Sequence, residues 1–395
     1  MNHPENYHLG EQSWKRGRNI ILAVLLLSAA AAAAGWASDP RQFHASYLVS
    51  YVYFVTIAIG AMFFVMIQHL TGSAWSATMR RMMENIMVTV PLAALLFLPV
   101  AAGIPVLYEW SHPGFYSGDP VMAVKMAFFN PAFYTARMVV YFAVWIFLAL
   151  VLYRNSVAQD ETRSPVQTRR AAFWSGPGLA ALMVTITMAS VDWLMSLEPH
   201  WYSTIFGVYI AAGGGLAFIA ALVATLVCFR RAGVLAKSVT IEHYHDLGKW
   251  LFALTVFWAY IAFSQYMLIW YANIPEETVW FKHRLEGNWI YISGLLLFGH
   301  FLVPFLILLA RGPKRNVPVL TGVSLWILFM HWVDLHWVVM PTVHNHGFHL
   351  SWMDLTTWLA AGSAFALVFW GRLRRRALAP VGDPRFEQGL EFRNV

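Results

Sequence analysis

Two aspartates stand where apolar helices should have none. Asp192 lies in SVDWLMSLEPHW (190–201) and Asp334 in WVDLHWVVMPTV (332–343). Each is preceded by Val and followed, seven residues on, by Pro. A carboxyl at membrane depth costs several kcal/mol (~3 by insertion scales) unless it is protonated, paired or hydrated. Helical spacing puts Thr185, Asp192 and Ser196 on one face, and His331 and Asp334 on another. A carboxyl beside an imidazole suits proton transfer, because both titrate when their surroundings shift them. The architectural reading has equal standing: each aspartate could instead tie helices together, and Arg137 is the natural partner for Asp192.

A second group lies towards the other membrane face. Glu84, His69, His245 and Asp246 fall at helix ends, and His300 lies deeper. With Tyr260, Ser264 and Gln265 they are expected to form an inner half-channel. For Asp246 the plainer reading is a favourable charge at a helix start. The expected proton path thus comprises Asp192, Asp334 and His331 on the outer side. Glu84, His300, Gln265, Asp246, Tyr260 and Ser264 make up its inner part.

Cofactor sites have weaker support. The histidines show no paired, depth-matched pattern for b-type haem, and His344, His346 and His349 in one loop read as solvated or docked. The single cysteine, Cys228, excludes a disulfide framework, a Cys-ligated iron–sulfur cluster and a c-type haem site.

These residues must be positioned by membrane-spanning helices. The chain has 395 residues, 59% hydrophobic and 12% charged, about half the charge of a soluble domain. About ten runs are long enough to cross a bilayer. Their expected limits are 18–36, 45–70, 83–108, 131–153, 173–197, 203–228, 247–273, 287–310, 317–341 and 352–371. The first follows Lys15, Arg16 and Arg18 and ends near Gly35-Trp36-Ala37, a pattern shared with signal peptides; it is read as a true span. The net charge of +7 resides in short loops, so it does not point to nucleic acid. Most Lys and Arg fall in alternate loops, leaving Arg41, Lys125, Lys282 and Arg284 opposite. That bias predicts both termini in the cytoplasm.

The Val-Asp-x6-Pro echo recurs four spans apart. It predicts an all-α polytopic membrane protein made of two four-helix bundles, spans 2–5 and 6–9, with spans 1 and 10 peripheral. The expected divisions are 1–44, 45–202, 203–343 and 344–395. Gly207, Ala211 and Gly215 predict a close helix approach on span 6. Pro91, Pro99 and Pro105 predict interruptions in span 3. The loop 154–170 and the tail 379–395 read as polar and mobile. The aromatic outer loops 109–130, 274–287 and 342–351 read as docking surfaces or, for Trp110, Tyr116 and Trp280, as an interfacial belt.

The run YIAFSQYMLIWYANIPEETVW (260–280), together with SVDWLMSLEPHWYSTIFG (190–207), resembles the NrfD-type, polysulfide-reductase-like membrane subunits of alternative complex III. That complex is a bacterial quinol:electron-acceptor oxidoreductase. The resemblance covers most of the chain and independently implies two four-helix bundles. It implies as partners a related NrfD-type membrane subunit, multihaem cytochrome and iron–sulfur subunits, and smaller membrane subunits, all in the bacterial inner membrane. Haems and iron–sulfur clusters would then belong to the partners, with none bound by this chain. Quinone binding is an alternative role, since quinone clefts have no short sequence signature. A secondary transporter is a further alternative, with Gly213-Gly214-Gly215 as its broken helix.

Overall fold

The computed structural model describes residues 7–112, 114–116, 119–345, 347–374 and 376–394. His346, Arg375 and parts of the 109–130 loop (Pro113, Ser117, Gly118) lie outside the described residues, as does the terminal Val395. The chain is an all-α, multi-pass membrane protein: among the described residues, ten helices are long and apolar enough to cross a membrane. They are span 1 (Glu11–Ser38), span 2 (Pro40–Leu70), span 3 (Arg80–Ala102), span 4 (Pro131–Thr162) and span 5 (Pro165–Leu197). Span 6 (Phe206–Arg231), span 7 (Ile241–Ala272), span 8 (Trp289–Leu309), span 9 (Val317–Thr342) and span 10 (Trp352–Arg372) follow.

A common start signal opens several spans. Asp39, Asn130, Ser164 and Asn316 cap spans 2, 4, 5 and 9, each with proline in the first turn. The side-chain oxygen satisfies an orphan N–H, and proline loses nothing where no helical partner exists. Span 3 is interrupted around its prolines. There Tyr51 and Tyr47 of span 2 donate to the carbonyls of Ala93 and Leu96, at 3.1 and 2.7 Å.

Spans 2 to 5 pack together, spans 6 to 9 pack together, and the two groups join mainly along spans 2 and 6. Span 10 lies against span 2, and span 1 against span 10. Glycine sets the distance at the joint. A Cβ at Gly60 would fall 2.7 Å from the Gly214 carbonyl oxygen, and one at Gly214 would fall 2.8 Å from Thr56 Cβ. The expected ridge on span 6 is therefore only partly used. Gly207 closes on Thr187 of span 5, but a Cβ at Gly215 would meet nothing nearer than Phe64 at 3.9 Å. Gly213–Gly215 sit inside an unbroken helix.

The tail departs from expectation. The tail from 379 on is packed, not loose: Leu378 and Ala379 are buried, Leu378 N–H donates to the Tyr7 carbonyl, and Asn394 reaches the Glu242 carbonyl. Both ends thus lie on one side, here the terminal side. The loop 154–170 is nearly all helix, with only Arg163 and Ser164 between spans 4 and 5. On the far side, Trp110 and Trp280 are buried and Tyr116 is half-buried, so the two tryptophans are packed inside the fold and form no belt.

Candidate functional site

The two aspartates are treated differently. Asp192 is buried and held by Arg137 through two parallel bonds, Nε to Oδ2 at 2.9 Å and Nη2 to Oδ1 at 2.7 Å. Tyr141 donates to Oδ2 at 2.8 Å. Arg137 also donates to the Phe128 carbonyl at 3.0 Å and lies 3.8 Å over the Phe128 ring. The charge is matched in number and geometry, as a buried ion pair requires. This fixes spans 4 and 5 to each other.

Asp334 has no ion pair among the described residues. Tyr209 of span 6 donates to Oδ1, and Trp258 Nε1 of span 7 donates to Oδ2 at 3.2 Å. Both donors are neutral. One turn away, His331 Nε2 lies 3.1 Å from Thr56 Oγ1 of span 2, so the pair bridges the two bundles. His331 Nδ1 is buried and has no partner among the described residues. A Cβ at Gly213 would lie 3.3 Å from His331 Nδ1 and 3.7 Å from Asp334 Oδ2. The bare glycine therefore leaves room between these two atoms.

His300 completes the cluster. It is fully buried, stacks on Trp258 at 4.0 Å, and both ring nitrogens lack partners among the described residues. It sits in a π-helical turn, Leu296–Leu302. Pro304 follows closely. Proline cannot donate to the His300 carbonyl and its ring crowds that oxygen, which favours a widened turn. Trp326 Nε1 donates to the Gly299 carbonyl at 2.7 Å in that same turn. The site is thus one carboxyl, two imidazoles, a phenol, an indole N–H and a hydroxyl from spans 2, 6, 7, 8 and 9. At 1.5 Å per residue, Asp334 lies roughly 12 Å from the far end of its span.

The remaining expected residues divide. Gln265 is buried but belongs to the far half, roughly 11 Å from the end of span 7, where Ser203 of the 5–6 loop donates to it at 3.0 Å. It is not part of an inner half-channel. Tyr260 is 64% exposed and Tyr271 83%, so the face they define looks outward. Ser264, half-buried near them, is likewise in the far half. Asp246 pairs with Lys249, which also reaches Asn394 at 2.6 Å.

Glu84 lies in a buried ion network on the terminal side. Arg80 Nε and Arg81 Nε donate to it at 3.3 and 3.0 Å. Arg81 continues to Asp160 at 2.9 Å, and Arg80 pairs with Asp383 of the tail. His69 is buried there with both nitrogens unpartnered among the described residues.

Another tie has no local signal in the sequence. Arg284, in the short helix Pro275–Leu285, bonds Glu198 at 2.9 Å and the Trp337 and Val338 carbonyls at 3.2 and 2.7 Å. Burial lowers its pKa to about 10 despite Glu198. Among the described residues no three His, Cys, Asp or Glu side chains converge as metal ligands. Tyr209, Trp258 and Thr56 are equally unmarked by spacing; each lies on a different span from Asp334. No protein-family model matches the chain, and no curated protein matches it.

Proposed function

We propose that this chain is the second large NrfD-type membrane subunit of a bacterial alternative complex III, a quinol:electron-acceptor oxidoreductase of an electron-transport chain. In this reading it sits in the inner membrane with both termini cytoplasmic. It carries no redox centre, scaffolds its partners and offers a proton route centred on Asp334. Haems and iron–sulfur clusters belong to the multihaem cytochrome and iron–sulfur subunits beside it.

The observation that carries the proton role is the contrast between the aspartates. Asp192 is locked by a guanidinium. Among the described residues Asp334 has only neutral donors; His331 is one turn away and His300 stacks on Trp258, one of those donors. A carboxyl whose charge no cation fixes can load and release a proton. The Thr56–His331 contact extends that cluster across the joint between the bundles. Purification from native membranes in mild detergent, with a haem spectrum and identification of co-purifying proteins, tests the assignment. Multihaem cytochrome, iron–sulfur and related membrane subunits should accompany it; purification alone would remove the complex from the account.

A second reading, quinol binding by this chain, draws on a separate feature. A mostly apolar pocket of about 670 Å³ opens between spans 7 and 8 and reaches Tyr209, Trp258 and Gln265. Apolar walls with a few polar groups suit a lipid-soluble quinol. Labelling by a photoreactive quinone at Tyr266 or Phe301 separates this reading from a pure proton route.

A further inference from the structure

On the terminal side, spans 1, 4 and 10 leave a cleft of about 710 Å³ between them. Leu367 and Val368 of span 10 and Val157 of span 4 line it with apolar surface. Arg154, Arg372, Arg374 and Arg376 stand around the same cleft, with Glu161 the single carboxylate among the described residues of its lining. Glu161 is already taken by Arg376 at 3.2 Å. Arg154, Arg372 and Arg374 have no ion pair among the described residues. Glu11 lies within electrostatic reach of Arg374 but is held by Lys15 at 3.0 Å. Arg372 lies 5.7 Å from the Tyr153 ring centre and Arg374 4.8 Å from that of Trp14. Such cation–π contacts hold long side chains at the rim.

Arginine at the end of a span is ordinarily an orientation signal. Here four converge on one concavity with one acid among them, above an apolar wall. Guanidinium groups bind phosphate through paired N–H bonds, and basic pockets between spans bind anionic lipid headgroups. One phosphate would leave most of this charge unmatched; two come close to balancing it.

We propose that the cleft binds an anionic phospholipid bearing two phosphates, held by Arg154, Arg372 and Arg374, with its acyl chains along Leu367 and Val368. A soluble anion would need the arginines but not the apolar wall. A lipid needs both.

The test is native mass spectrometry of the full chain released from phosphatidylcholine nanodiscs containing cardiolipin. The wild type should retain cardiolipin. Changing Arg154, Arg372 and Arg374 together to Gln should weaken its binding roughly a hundredfold, from about 1 kcal/mol for each basic group. Gly371→Phe should also reduce binding at least tenfold while every arginine remains. Gly371 lines the cleft, and a Cβ there meets nothing within 4 Å, so the substitution fills the cleft and not the core. It decides the matter even if the triple variant fails to fold. Added inorganic pyrophosphate should not displace the lipid. Undiminished cardiolipin in Gly371→Phe, or displacement by pyrophosphate, would overturn the proposal.

Discussion

Arg137 grips both carboxylate oxygens of Asp192, at 2.9 Å from Nε and 2.7 Å from Nη2. Breaking a buried pair strands the remaining charge, at a cost of about 3–5 kcal/mol. Asp192→Asn and Arg137→Leu are each expected to lower the thermal midpoint sharply. The double substitution should recover part of the loss, because no charge is then left unpaired. Thermal melts of the three variants in detergent check this.

The spacing of spans 2 and 6 gives a second prediction. Gly214→Leu cannot be accommodated beside Thr56 and should cost about 1–3 kcal/mol by overpacking. It should also disturb the Thr56–His331 contact. Gly215→Ala should be nearly neutral, since its nearest neighbour is 3.9 Å away. Melting of both variants distinguishes a specific close approach from general crowding.

The docked tail predicts a pH response. Burial alone would raise the Asp383 carboxyl, but the Arg80 charge, the Arg80 hydrogen bond and the Arg385 amide hold it below its ordinary value. A depressed carboxyl contributes stability above its unfolded value, near about 3.9. That stability is lost as pH falls through the folded value. The tail should therefore stay docked at neutral pH and loosen only below about pH 4. Asp383→Asn should free it at pH 7, where limited proteolysis within 379–394 reports release.

Much of the frame is legible in the amino-acid sequence. Long apolar runs locate the ten spans among the described residues, with ends up to nine residues off, because a bilayer demands about 20 residues of apolar helix whatever the packing. The site is legible only in part. Asp334 and His331 are one turn apart on one helix, so their meeting is a matter of spacing. Whether a cation faces Asp334 depends on spans 6 and 7, over a hundred and about eighty residues earlier in the chain, and no local pattern encodes it. The repeated Val-Asp motif even suggests equal roles, whereas Arg137 meets one aspartate and Tyr209 the other. Tyr260 falls outside the expected half-channel because its face of span 7 looks outward, and Ser264 because it lies in the far half of that span. The tail looks mobile from composition because its anchors, Arg80 and Asp160, are some 300 and 220 residues away.

The proposed proton route through Asp334 is tested most directly in the proposed complex, reconstituted into proteoliposomes with a pH-sensitive dye and driven by quinol oxidation. Asp334→Asn keeps an oxygen for one of its neutral donors and should leave uncoupled quinol oxidation within about twofold of wild type, while removing the exchangeable proton. Loss of the proton signal at undiminished electron flow is the expected result. An unchanged proton-to-electron ratio in this variant would contradict it and leave the chain a scaffold.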